Sequence, residues 1–209
     1  MNAAAKLGLG AAAATGGAAL WWRKNPSACP YNQRFWVQAP HPFITRERLR
    51  DALDPQPGET LLEIGPGIGY YSLDVAGWIA PGTLHVFDLQ QEMLDHTLSR
   101  AGERGIQNIE PRRGDARALP YDDASFDGAY LITVLGEIPD QDTALAELRR
   151  VLRPGGRLVV GELFGDPHMV GLKPLEQRAQ NAGLRLERQV GPRFGYFARL
   201  RPAVPAAQG

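Results

Sequence analysis

The sequence contains very little cysteine and no excess of either charge. Cys29 is the only cysteine among 209 residues, which excludes an intrachain disulfide framework and a zinc site built from several cysteines. Lys plus Arg and Asp plus Glu total 23 each, and the basic residues do not cluster among aromatic side chains. The four histidines show no metal-ligand spacing. We therefore predict neither a nucleic-acid partner nor a metal.

A long, continuous apolar run is also missing. The stretch 7–22 carries no charge, but its 16 residues include four glycines. As a helix it would reach about 24 Å, less than the roughly 30 Å hydrocarbon core of a bilayer. It ends in two tryptophans before Arg23 and Lys24, which resembles an interfacial belt and would place the following chain in the cytoplasm. Residues 1–24 thus remain open to three interpretations: membrane anchor, disordered tail or cleaved signal peptide. The predicted location is cytoplasmic, at the inner face of a membrane if this tail is an anchor.

Strand and helix patterns alternate in the rest of the chain. Apolar runs predict strands over 60–64, 83–88, about 107–111, 127–133 and 157–163, and helical spacing predicts helices over about 70–79, 90–103 and 141–151. Every crossover is long enough for a parallel connection, so we predict an α/β fold with a doubly wound, Rossmann-like sheet. Two final segments alternate with period two around "GPR", which predicts a C-terminal antiparallel hairpin.

The stretch "TLLEIGPGIGYYS", residues 60–72, places three glycines directly after a buried strand. Glycines at this point permit a tight turn and a close approach of the backbone to a ligand, although an ordinary turn is the simpler alternative. A dinucleotide fingerprint would require glycine at position 70, where this chain has Tyr70. The observed pattern is instead E-x-G-x-G-x-G.

That pattern resembles motif I of the class I S-adenosylmethionine (SAM) dependent methyltransferases. The resemblance extends to "GDARALPYDDASFDGAYLITVLGEIPD", residues 114–140, and to "LRRVLRPGGRLVVGE", residues 148–162. These segments are similar to those of the methyltransferase type 11 group, which includes the ubiquinone/menaquinone methyltransferases. The resemblance covers roughly residues 58–200 and implies a seven-stranded sheet, SAM as cofactor and a small-molecule acceptor.

The resemblance also implies a role for individual residues. Motif I would wrap the methionine end of SAM, Asp88 would hold the ribose hydroxyls, and residues near the third and fourth strand ends would contact adenine and the methionine chain. The implied cofactor-binding residues are Glu63, Gly65, Gly67, Gly69, Asp88, Leu89, Met93, Asp115, Ala116 and Thr133.

Catalytic and acceptor-binding candidates are fewer. Methyl transfer from a sulfonium mainly requires alignment, and a base helps only if the acceptor carries a proton. The leading candidate base is Glu137, followed by Tyr71 and His41. Because the connection after the fifth strand is short, an aromatic N-terminal segment is expected to cover the acceptor. The acceptor-binding candidates are Phe35, Trp36 and His168.

These observations divide the chain into four parts: a hydrophobic tail (1–24), a substrate-cover segment with a helix (25–56), the SAM-binding domain (57–203) and a flexible C-terminus (204–209). An aromatic cover predicts a lipophilic or planar acceptor. Two other hypotheses remain: a SAM-binding, membrane-tethered interaction module without activity, and a nicotinamide oxidoreductase, against which Tyr70 argues.

Overall fold

The fold was analysed in a computed structural model, which describes residues 27–31 and 42–203. Its helices, in chain order, are α1 (Arg46–Leu53), α2 (Ser72–Ile79), α3 (Gln91–Glu103), α4 (Gln141–Val151) and α5 (Leu172–Asn181). Its strands are β1 (Thr60–Ile64), β2 (Thr83–Asp88), β3 (Ile109–Arg113), β4 (Phe126–Ile132), β5 (Leu152–Leu163), β6 (Leu184–Val190) and β7 (Gly195–Pro202).

The seven strands form one sheet in the order β3-β2-β1-β4-β5-β7-β6. Strands β1 to β5 are parallel, whereas β7 lies antiparallel between β5 and β6. Strand order runs outward in both directions from β1 and β4, so the sheet is doubly wound with its switch point between these two strands. The predicted fold class and C-terminal hairpin are confirmed.

Apolar side chains cover both faces of the sheet. One buried cluster joins α1, α2 and α3 to the sheet through residues such as Leu53, Ile79 and Leu94. The other joins α4 and α5 through residues such as Leu148 and Leu175. Because the inner parallel strands, such as β1 and β4, are buried on both faces, they appear in the sequence as continuous apolar runs, whereas the edge strand β3 is largely exposed. In a fold of this kind, polar side chains contact a ligand at the carboxyl ends of the parallel strands.

The starts of two predicted strands differ from the observed ones by two residues or more. Strand β3 starts two residues later than predicted because Asn108 is held in the preceding turn, where its side-chain amide donates to the carbonyls of Ala76 and Gly82. Strand β5 starts at Leu152 because this residue pairs with Phe126 before a register shift that accommodates the "RPGG" segment. Strand β3 also ends two residues later than predicted, and β4 is displaced by one residue, whereas the carboxyl ends of β1, β2 and β5 are as predicted.

Candidate active site

A cavity of about 360 Å³ opens at the carboxyl ends of β1, β2 and β4. This is the switch point of the sheet, where ligands bind in doubly wound folds. Its wall combines the glycine loop after β1, the segment after β2, the segments after β3 and β4, and residues 27–29 from the N-terminal side. The volume lies at the lower end of the range for small-molecule sites, roughly 300 to 1,000 Å³.

The glycine loop brings backbone, rather than side chains, to the cavity. Gly65 has a φ of +68°, and its N–H donates to the Phe87 carbonyl at 2.8 Å. A Cβ added to Gly65 would lie 2.5 Å from the Val134 Cγ2 atom, so a larger residue would displace the wall. Gly67 also lines the cavity, whereas Gly69 packs against Thr97 of α3. Of the three glycines, two therefore face the site and one fixes the loop to a helix.

Asp88 ends β2 with its carboxyl group at the cavity wall. Its Oδ1 accepts the Gln90 N–H at 2.8 Å, which orients the carboxyl group. Burial raises the pKa of Asp88 to about 6, although the backbone hydrogen bonds act in the opposite direction. A desolvated, oriented carboxylate of this kind is suited to accept hydrogen bonds from a ligand diol.

Four other predicted cofactor residues line the same cavity on the adenine side implied by the resemblance. Leu89 is 55% exposed and Met93 is buried on α3. The Leu89 side chain is therefore freer than that of Met93 to change conformation beside an adenine ring. Ala116 is buried, whereas Asp115 forms a salt bridge with Arg117 at 2.6 Å. That pairing lowers the pKa of Asp115 and keeps it ionised.

Thr133 follows β4 in a conformation that β-branched residues rarely adopt. Its φ is +55°, its N–H donates to the Gly161 carbonyl at 2.8 Å, and its hydroxyl donates to the Ile132 carbonyl at 2.8 Å. Backbone strain of this kind costs of order 1–3 kcal/mol and concentrates at functional sites. Because Thr133 lines the cavity, this strained residue lies at the candidate site.

Glu137 ends a short 3-10 turn, Leu135–Glu137, and its side chain lines the cavity. Its Oε2 accepts the Cys29 N–H at 3.1 Å. Burial raises the pKa of Glu137 to about 8, and the negative charges of Asp166 and Asp88 act in the same direction. A carboxyl group that titrates near neutral pH can accept a proton from a ligand in the cavity.

Besides Gly69, three predicted site residues lie away from the cavity wall. Glu63 is buried on the face of β1 that packs under α2, where burial raises its pKa to about 7. The hydroxyl of Tyr71 donates to the Ile44 carbonyl at 2.6 Å, which ties the glycine loop to the segment before α1. His168 is buried, and its N–H donates to Asp166 Oδ1 at 2.7 Å. Their predicted roles as ligand contacts receive no support from this placement.

The remaining candidates, Phe35, Trp36 and His41, lie outside the described residues, as does the stretch 7–22. None of the helices within 42–203 is both long and apolar enough to cross a membrane. Within the described ranges, no group of three or more His, Cys, Asp or Glu side chains is arranged to hold a metal ion.

Residues 27–29 fall within the predicted cover segment 25–56, but sequence reasoning named neither these residues nor Gln90 as part of the cavity wall. The amide of Gln90 contacts the backbone of Cys29 and Tyr31, more than 55 residues earlier in the chain. One local signal was available, because glutamine is an unusual residue at the N-cap of a helix. Nothing in the sequence pattern indicates which distant segment its side chain would contact.

The fold and site together define an α/β protein of the class I methyltransferase type, with a glycine loop after β1 and an acidic residue at the end of β2. Residues 62–160 match the family described as a methyltransferase domain. This match covers slightly less than half of the chain, and together with the similar proteins below it supports the predicted SAM-dependent methyltransferase domain of the type 11 group.

Three similar proteins illustrate the match. The O-methyltransferase cnsE of Penicillium expansum is 36% identical over 124 residues, which are 59% of this chain and 44% of that protein. The ubiquinone/menaquinone biosynthesis C-methyltransferase UbiE of Ruegeria sp. (strain TM1040) is 35% identical over 126 residues, 60% of this chain and 50% of that protein. The crystal structure of a SAM dependent methyltransferase from Aquifex aeolicus is similar in fold, with a TM-score of 0.75, 18% identity, and coverage of 83% of this chain and 98% of that one. The chain thus spans half or less of the length of these two curated relatives.

Proposed function

We propose that the protein transfers a methyl group from SAM to a hydroxyl group of a small, lipophilic or planar acceptor. The observation that carries this proposal is the meeting of three features in one cavity: a glycine loop, the Asp88 carboxyl group and the buried Glu137 carboxyl group. Relatives named as O-methyltransferases support an oxygen acceptor, although one relative is named as a C-methyltransferase.

The residues present fit the cofactor. Gly65 lies too close to Val134 for a Cβ, so the loop presents backbone to the cavity where the methionine end of SAM would lie. Asp88 would accept hydrogen bonds from the ribose hydroxyls, and Leu89, Met93 and Ala116 would flank the adenine. When bound, SAM supplies a methyl group whose bond to sulfur breaks as the acceptor atom bonds to its carbon, which leaves S-adenosylhomocysteine (SAH).

Glu137 would act as the general base of the reaction. Its carboxylate would take the proton from the acceptor hydroxyl as the oxygen becomes nucleophilic, and would later release that proton to solvent. A carboxyl group with a pKa raised to about 8 by burial is a stronger base than an exposed glutamate. The positive charge of a bound sulfonium would lower this pKa and favour the ionised form near neutral pH.

The acceptor side is expected to be apolar. Ile132, Val134, Ile138 and Pro139 line the cavity beside Glu137, and such surfaces bury planar or acyl groups. The substrate-cover role of residues 25–56, with Phe35, Trp36 and His41 near the acceptor, stays a prediction. So does membrane association through 7–22, which membrane fractionation of the full chain and of a chain without 1–24 would test.

The experiment that tests the function incubates the protein with methyl-labelled SAM and a lipid-soluble metabolite pool, followed by mass spectrometry of the products. We expect labelled methyl ethers and an equal amount of SAH. Binding of SAM without SAH release for any acceptor would instead indicate a non-catalytic SAM-binding module. Labelled products methylated at carbon, nitrogen or sulfur would overturn the oxygen acceptor and leave the methyltransferase activity in place.

A further inference from the structure

Residues 27–31, here called the N-terminal strap, lie across one side of the cavity. The Cys29 carbonyl accepts a hydrogen bond from Gln90 Nε2 at 2.9 Å, and the Tyr31 N–H donates to Gln90 Oε1 at 3.2 Å. From the other side, the Cys29 N–H donates to Glu137 Oε2 at 3.1 Å. The strap is thereby held between the segment after β2 and the turn after β4.

Gln90 occupies an unusual position for this interaction. It is the N-cap of α3, where serine, threonine, aspartate or asparagine would satisfy a free backbone N–H of the first turn. Its side chain makes no capping hydrogen bond, and both ends of its amide are used on the strap instead. Gln90 does not satisfy the local preference of an N-cap position and contacts the strap instead, which indicates that the contact to the strap has a functional role.

The position of Gln90 also connects the strap to the cofactor site. Its backbone N–H donates to Asp88 Oδ1 at 2.8 Å, so the residue that holds the strap also orients the proposed ribose-binding carboxyl group. On the opposite wall, the same strap peptide occupies one oxygen of Glu137. The strap therefore contacts, directly or through Gln90, carboxyl groups on two walls of the same cavity.

We propose that Gln90 is a positioning residue that latches the N-terminal strap over the cavity, so that strap closure and retention of the bound cofactor are coupled. The latch rests on the proposed function only in naming that cofactor. Opening the strap would require loss of both Gln90 hydrogen bonds and of the Cys29 contact to Glu137. The contact between the Tyr31 hydroxyl and His96 Nδ1, at 3.2 Å, would also be lost if the whole strap moved. The strap therefore controls release of SAH and orients the Glu137 carboxyl group.

Cys29 offers a direct probe of the latch because it is the only cysteine in the chain. Burial and the nearby charge of Glu137 raise the pKa of the Cys29 thiol, so its alkylation by iodoacetamide is expected to be slow while the strap is held. In Gln90→Ala we expect alkylation in the absence of ligand to accelerate roughly tenfold, the effect of losing one to two hydrogen bonds. SAH dissociation, followed by stopped-flow fluorescence, should accelerate by a similar factor.

Two further variants separate a latch from a general structural role. Gln90→Ser removes the contacts to the strap but supplies a good N-cap, so the melting temperature should stay level or rise while Cys29 is still exposed to the reagent. Gln91→Ala is the matched control, because the neighbouring Gln91 amide bonds to Asp95 on the exposed side of α3. This variant should keep the wild-type alkylation rate.

Unchanged alkylation in both Gln90 variants, or equal acceleration in Gln91→Ala, would overturn the latch. Faster alkylation with an unchanged SAH dissociation rate would overturn the coupling to the cofactor. A protein that binds no SAH would contradict the proposed function instead, and the ligand-free alkylation rates would still decide whether Gln90 holds the strap.

Discussion

The two sides of the cavity are built in different ways. On the cofactor side, the glycine loop and Asp88 follow β1 and β2, whose positions are fixed by parallel pairing with their neighbours. On the proposed acceptor side, the N-terminal strap is held through three side chains, those of Gln90, His96 and Glu137. The proposed cofactor side is therefore formed by the sheet itself, whereas the proposed acceptor side is completed by a segment distant in the chain.

The largest expected effect concerns Glu137, which belongs to both sides. Glu137→Gln keeps the shape but removes the base, so we expect turnover of a hydroxyl acceptor to fall by roughly a hundredfold or more while SAM affinity changes little. Wild-type turnover should rise with pH and level off at or below about 8, and the variant should lose this rise. Exposed Glu103→Gln is the control. Equal turnover in wild type and Glu137→Gln would exclude Glu137 as the base.

Glu137 should also determine how the free energy of unfolding changes with pH. Because the folded-state pKa of Glu137 is raised from 4.5 to about 8, the folded protein retains a proton that the unfolded chain releases as pH rises through that window. The free energy of unfolding should therefore decrease with rising pH over that window, and should decrease less in Glu137→Gln. Glu63 and Asp88, whose raised pKa values have the same sign, keep part of the slope in the variant. Parallel pH profiles from urea unfolding would contradict a buried Glu137.

The next largest effect is expected at Asp88, on the cofactor side alone. Asp88→Ala removes a carboxylate whose hydrogen bonds to a diol contribute on the order of 2 to 3 kcal/mol, so SAH affinity measured by calorimetry should fall at least tenfold. Asp95→Ala, on the exposed side of α3, is the control and should bind SAH normally. Unchanged affinity in a folded Asp88→Ala variant would remove Asp88 from the ribose site.

A smaller effect distinguishes backbone strain from crowding at the glycine loop. Gly65 and Gly105 share a φ of +68°, so alanine at either position should cost about 1–2 kcal/mol of stability. Only at Gly65 would the added Cβ also meet Val134 on the cavity wall, because nothing lies within 4 Å at Gly105. Gly65→Ala should therefore lose more stability in urea unfolding and should also lose SAH affinity. Equal stability losses with equal SAH binding would mean that the close approach has no consequence for the cavity.

The smallest effect on the cofactor is predicted for Trp36, the sequence-based candidate for the acceptor side. Trp36→Ala should reduce acceptor affinity and turnover while SAH affinity changes less than about threefold. Phe164→Ala, which alters an exposed aromatic side chain after β5, serves as the control. A loss of SAH affinity equal to the loss of acceptor affinity would place Trp36 in the cofactor site or the core.

The sequence predicted most of the cofactor side because strand ends and glycine loops follow from local patterns. Asp88 could be placed at the cavity from its position at the end of an apolar strand. Side-chain direction within a turn was harder to predict: Tyr71 follows the glycine loop, yet its hydroxyl bonds to the Ile44 carbonyl. His168 likewise follows β5 but is buried away from the cavity wall. Such directions depend on turn geometry, which residue spacing does not specify.

The acceptor side was less predictable for a different reason. The Gln90–Cys29 and Glu137–Cys29 contacts join residues 61 and 108 positions apart, and no periodic pattern encodes them. The raised pKa of Glu137 arises mainly from burial by residues that come together only in the folded chain. The sequence could therefore nominate Glu137 as a polar residue after the fourth strand, but not its environment.

A crystal structure of the protein with SAH tests the central claim most directly. We predict one SAH per chain in the cavity, with its ribose hydroxyls within hydrogen-bonding distance of the Asp88 carboxyl group, roughly 2.5 to 3.0 Å. Its sulfur should lie on the Glu137 side, beneath a strap still held by Gln90. SAH bound elsewhere, or with its ribose turned away from Asp88, would contradict the account.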